Sequence, residues 1–173
     1  MTETTQKTPQ ARKFDTQRTM DFARSELFDR TFKEGMGLVE ETAAYLDGPG
    51  RAASKRLSRA GALAYAGESM RLTTRLMQVA SWLLVQRAVR DGEIALTEAS
   101  SDKYRLISRE PQAAPAFAGA QDLPEALKVL MARGSAIYER VRRLDETMYD
   151  AAANDQANPV SDQLAKLEAA FAR

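Results

Sequence analysis

The sequence predicts an all-α protein: an elongated antiparallel three-helix bundle with a flexible linker and C-terminal tail. Three observations predict it. Apolar residues recur at steps of three, four and seven over three long stretches. The 9 glycines and 6 prolines cluster outside those stretches, where they do not break helices. With 173 residues, 44% of them apolar, the chain can build one domain with a real core.

Residues 1–14 are polar and read as a flexible N-terminus. They carry no apolar run, so no secretory signal is expected. The bundle domain is expected over 15–153. Its first helix spans about 15–47, with Met20, Leu27, Phe28, Phe32, Met36, Val39, Ala43 and Leu46 on one face. Asp47-Gly48-Pro49-Gly50 then stops it, because proline cannot continue a helix and glycine suits the residue after its end.

The second helix is expected over about 51–91, with Gly92 as its C-cap. Its stripe is Leu57, Gly61, Ala64, Tyr65, Leu72, Leu76, Val79 and Leu83. Small residues at Ala60, Gly61, Ala64 and Gly67 would let another backbone approach closely. The short turn between the first two helices makes them antiparallel. Met70, Met77, Trp82 and Leu84 lie outside the main stripe. One three-helix bundle does not easily bury two apolar faces, so the surplus points to a dimer or a partner groove.

Residues 93–121 read as a linker, with a short helical turn near Ile94 to Tyr104. A loop of this length is usually functional or mobile. The third helix is expected over about 122–153. Asp122 and Glu125 resemble a capping box, and Pro124 sits in the first turn. Leu127, Leu130, Gly134, Ile137, Val141, Leu144 and Met148 then follow a heptad seam. Residues 154–173 read as a flexible tail. A short helix there, with Leu164, Leu167 and Phe171 on its face, is too short to stand alone and suits contact with a partner.

Composition narrows the function. There are no cysteines and no histidines, so disulfides, thiolate metal sites, imidazole bases and the common triads are excluded. Glu40 and Glu41 are the nearest thing to a carboxylate pair, but adjacent helical residues point about 100° apart. No di-iron Glu-x-x-His motif is possible. No catalytic residue, cofactor or metal is expected. The longest apolar run, Val79 to Val85, is too short to span a membrane, and the expected compartment is the cytoplasm.

Charge is unevenly spread although the net charge is only +1. Residues 51–90 hold eight Lys/Arg and one acid, Glu68; residues 15–47 hold four Lys/Arg and eight acids. This reads first as pairing between neighbouring antiparallel helices. A turn centred at Gly48-Pro49 would bring Arg30 to Glu68, and Glu26 and Asp29 to Arg71 and Arg75. The other reading is a nucleic-acid-binding face on the basic helix 51–90. The near-zero net charge and the lack of interleaved aromatics argue against it. A third reading is a self-associating structural scaffold without cargo. Residues 68–84 set Arg71 and Arg75 among Met70, Met77 and Trp82. They read as a polar layer fixing register, or as a recognition surface and dimer interface.

Two strings carry a resemblance: Glu41 to Arg51 (ETAAYLDGPGR) and Tyr65 to Leu84 (YAGESMRLTTRLMQVASWLL), continued by Gln86-Arg87-Ala88-Val89 and Gly92-Glu93. Over residues 20–92 the chain resembles the RcdA family, the regulators of CtrA degradation. The resemblance implies a bacterial cell-cycle adaptor, a dimeric three-helix bundle with no catalytic residues. It implies partnership with the ClpXP protease and a response-regulator-like primer, recruitment to the cell pole, and delivery of protein cargo such as cell-cycle transcription regulators. It also implies a role for the tail.

Overall fold

The computed structural model describes residues 21–101, 103–106 and 117–149. Among them there are helices and turns and no strand. Helix α1 is Glu26–Asp47, α2 Pro49–Ser54, α3 Arg59–Arg90, α4 Leu96–Ala99 and α5 Glu125–Tyr149. Three of these are long, as expected.

The first helix starts later than expected. Residues 21–23 are helical, but Ser25 then adopts extended backbone and its hydroxyl accepts from the Phe28 amide at 3.2 Å. Glu26 and Asp29 sit in the first turn, where the helix dipole favours acids. Residues 15–20 lie outside the described residues. The second helix is also corrected. Gly48 does end α1, but Pro49 starts a new helix of six residues at its N1 position. A second break follows at residues 55–58. Ser58 caps α3 by accepting from the Gly61 amide at 3.0 Å. The long helix therefore begins at Arg59, not near residue 51.

The end of α3 is as expected. Gly92 has φ +78°, its amide donates to the Val89 carbonyl, and the Glu93 amide donates to that of Ala88. That is a Schellman cap. The third long helix starts at Glu125, and residues 150–153 lie outside the described residues. Asp122 does not form the expected capping box: it closes a 310 turn (Ala120–Asp122), and Pro124 supplies the first helical carbonyl.

Helix α1 runs opposite to α3. Asp29 pairs with Arg90, and the Cβ side of Gly35 faces Leu83 and Val79. The antiparallel order expected for all three is corrected for one pair: helices α3 and α5 run the same way, because Arg75 reaches Ser135, Trp82 reaches Asp145 and Gln86 reaches Tyr149. The long linker makes this possible, since its two ends are fixed at opposite ends of the bundle. Leu106 is buried in the core and Arg105 pairs with Asp145 near the end of α5. Phe117 and Gly119 lie against the start of α3.

The core is the three-helix interface: Phe28 and Leu38 from α1, Leu72, Leu76, Val79 and Leu83 from α3, and Leu127, Leu130, Ile137 and Val141 from α5. Each fully buried side chain of this kind contributes about 1.5–3 kcal/mol. The heptad seam of α5 is buried as expected, with Leu144 only partly covered. The small residues of α3 do admit a neighbour. Gly119, at φ +89°, presses on the backbone of Ala60 and Gly61, and the Phe117 ring fills the space beside Gly67.

The two left-handed glycines should respond differently to substitution. A Cβ on Gly92 meets nothing within 4 Å, so Gly92→Ala should cost only the backbone strain of about 1–2 kcal/mol. A Cβ on Gly119 would lie 2.7 Å from the Ala60 carbonyl carbon, so Gly119→Ala should cost clearly more. Urea unfolding of both variants checks the order.

Candidate functional site

The largest exposed apolar side chains on α3 form one stripe. Leu63 is 68% exposed, Met70 72%, Met77 66% and Leu84 49%. They are spaced by seven residues, so they line one face over about 31 Å at ~1.5 Å per residue. Ala66, Thr73, Thr74 and Ser81, also exposed, flank them without charge. The opposite side of the helix carries Leu72, Leu76, Val79 and Leu83 into the core. Helix α3 is thus apolar on two faces, and the bundle covers one of them.

Met70 and Met77 stand where the sequence places a partner-binding anchor. Trp82 does not, and this expectation is corrected. It is 1% exposed and packs tilted against Phe22. Its indole N–H donates to Asp145 Oδ1 at 2.8 Å. Indole fills the junction of α3 and α5 because Asp145 supplies the acceptor that a buried indole N–H needs. Arg71 and Arg75 are half-buried, turned from the stripe toward internal partners. Arg71 pairs with Glu68 at 3.0 Å and lies 4.3 Å from the Phe117 ring centre. Arg75 donates to Ser135 Oγ at 3.0 Å. Both fit the polar layer that fixes register. Leu164, Leu167 and Phe171 lie outside the described residues.

Leu84, part of the surplus apolar surface expected from the sequence, and Leu63, which was not singled out there, complete the stripe. The signal was their step of seven from Met70 and Met77. The expected pairing of α1 with α3 is corrected too. Arg30 bonds Glu26 on its own helix, Glu68 bonds Arg71, and Asp29 bonds Arg90. The extra helix α2 and its turn shift the register, so the pairing is not centred at Gly48-Pro49. Acids of α1 also reach α5, through Glu41–Arg133 and Glu34–Arg140.

Asp145 is the acid most like a catalytic one, being 2% exposed. Burial pushes its carboxyl above the ordinary range, opposed by hydrogen bonds from Arg105 and Trp82. Both oxygens are occupied, Oδ1 by Trp82 and Oδ2 by Arg105 at 2.9 Å. The Arg105 guanidinium in turn lies 4.9 Å from the Tyr149 ring centre. Such a carboxylate holds the linker to the bundle. Among the described residues there is no group of three acids placed to hold a metal ion, and no helix long and apolar enough to cross a membrane.

Three long helices, with no strand among the described residues, define an all-α bundle whose longest helix exposes a second apolar stripe. The chain belongs to the RcdA family: the family model described as "Protein of unknown function (DUF1465)" matches residues 19–171, and the crystal structure of RcdA from Caulobacter crescentus CB15 is similar at 61% identity, covering 75% of this chain and 97% of that one with a TM-score of 0.61. No curated protein matches.

Proposed function

We propose that this protein is a non-enzymatic adaptor that binds protein cargo and helps deliver it to the ClpXP protease for regulated degradation in the bacterial cell cycle. The observation that carries this reading is the 61% identity to RcdA over nearly the whole of that chain. An adaptor needs no active site. It raises the effective concentration of cargo beside the protease by holding both. The partners are ClpXP, a response-regulator-like primer, cargo such as cell-cycle transcription regulators, and a second copy of the chain. The setting is the cytoplasm, with recruitment to the cell pole. Met70 and Met77, with Leu63 and Leu84, form the self-association face, and Leu164, Leu167 and Phe171 are the tail contacts.

The nucleic-acid reading of residues 51–90 has less support. Arg71 and Arg75 face internal partners, and Arg87 and Arg90 stack over Phe32 and Phe28. No continuous basic stripe is left for a phosphate backbone.

The test is a reconstituted reaction with ClpXP, primer and a labelled cell-cycle regulator. Adding the full chain should accelerate cargo loss. A chain lacking residues 154–173 should stay folded by circular dichroism and deliver poorly. Cargo loss that is indifferent to the full chain would sink the adaptor reading.

A further inference from the structure

Helix α3 opens on a corner of four exposed cations: Arg51 on α2, Lys55 and Arg56 in the turn, and Arg59 at the first position of α3. Among the described residues, no ion pair, side-chain hydrogen bond or ring contact engages these four side chains. The other cations of the same stretch are all used internally. Arg71 pairs with Glu68, Arg75 bonds Ser135, Arg87 pairs with Asp91, and Arg90 pairs with Asp29 and Asp91. Two acids lie near the corner: Asp47 at the end of α1, and Asp122, whose Cβ lies 3.3 Å from where a Gly61 Cβ would be. They leave the corner two positive charges in excess.

The backbone adds to this field. The first turn of α3 contains no acid, whereas α1 has Glu26 and Asp29 there and α5 has Glu125. The positive end of the helix dipole is therefore crowded with like charge, which costs the free chain stability. An anion from outside the chain would relieve it.

We propose that this corner is the docking surface for an acidic segment of a protein partner. Its size argues for a short peptide. Helix α2 is about 9 Å long at ~1.5 Å per residue. A run of three to five Asp or Glu in extended form covers about 10–17 Å at ~3.3 Å per residue. Duplex DNA presents a charge every ~1.7 Å along tens of ångströms. Beyond Arg59 the exposed face turns apolar at Leu63, Met70 and Met77, so a duplex finds nothing further to neutralise. The inference rests on the protein-binding reading only in making the partner a polypeptide, and its readout involves neither delivery nor degradation.

The probe is an acetylated hexaglutamate peptide titrated at low salt into the 15N-labelled full chain. Amide shifts should concentrate at residues 49–61. Replacing Arg51, Lys55, Arg56 and Arg59 with Gln should weaken binding at least tenfold while the thermal melt stays as high as that of the parent chain or rises, as the like-charge crowding is relieved. Replacing only Lys55 and Arg56 should weaken it in part. Replacing Arg24 and Lys33, exposed cations elsewhere, should leave it unchanged. Shifts that avoid 49–61, or equal losses in the Arg24 and Lys33 control, would overturn the proposal. So would a short DNA duplex that shifts the same amides and binds more tightly than the peptide.

Discussion

Asp145→Ala is expected to lower the unfolding free energy by about 3–5 kcal/mol, the usual cost of breaking a buried ion pair from one side. The carboxylate is held by the Trp82 indole at 2.8 Å and Arg105 at 2.9 Å. Its removal takes the Asp145 partner from a largely buried guanidinium and leaves a buried indole N–H without its acceptor in one step. Asp145→Asn should cost less, since an amide oxygen still accepts from Trp82 although the charge opposite Arg105 at this position is lost. Trp82 is the only tryptophan, so its fluorescence reports the site directly during urea unfolding. Arg105 is also the linker's tether, and trypsin should cut after it faster in the Ala variant. The pH dependence has a definite sign. Burial raises the folded carboxyl above its unfolded value, so the folded chain holds the proton longer. This group's contribution is full below the unfolded pKa and declines as pH rises through the folded one. The window is just above the ordinary carboxylate range, and Asp145→Asn should remove that component of the slope. A component of opposite sign, lost in the Asn variant, would contradict the burial argument.

The seam of α5 was legible because it obeys one period with one face to bury; Leu127, Ile137 and Val141 are buried as the spacing requires. Helix α3 was harder because it is apolar on two sides, and composition alone does not say which side faces in. The discriminating signal was angular. Leu63, Met70, Met77 and Leu84 share a step of seven, whereas Trp82 is five residues past Met77 and about 140° away at ~100° per residue. The helix starts at Ser25 and Ser58 were open to reading as serine caps, but Pro49 and Gly50 looked like the whole turn and hid the six-residue helix. That missed helix misplaced every predicted partner of Glu26, Asp29 and Arg30. The shared direction of α3 and α5 was not legible, because a linker of this length can join the helices in either sense. Only contacts distant in sequence, Arg75 with Ser135 and Gln86 with Tyr149, reveal which sense was taken.

Met70→Glu with Met77→Glu is expected to abolish the self-association proposed above while leaving the bundle's stability nearly unchanged. The two side chains are 72% and 66% exposed, so in one copy they contribute little and surface changes of this kind usually stay within about 0.5 kcal/mol. In a self-paired stripe the balance reverses. Four apolar side chains from each copy leave water, each contributing about 1.5–3 kcal/mol before association costs of about 4–15 kcal/mol are subtracted. The surplus is modest. Four glutamates brought to the centre of such an interface, desolvated and of like charge, should exhaust it and raise the dimer dissociation constant at least a hundredfold. Sedimentation equilibrium measures this, with Val129→Glu on α5, an exposed apolar position off the stripe, as a control. Trp82→Ala should separate the two faces of the helix by doing the converse, destabilising the fold by about 3–5 kcal/mol through a cavity in the core. A double glutamate variant that remains a dimer would show that the second copy sits elsewhere and leave the stripe for cargo or protease.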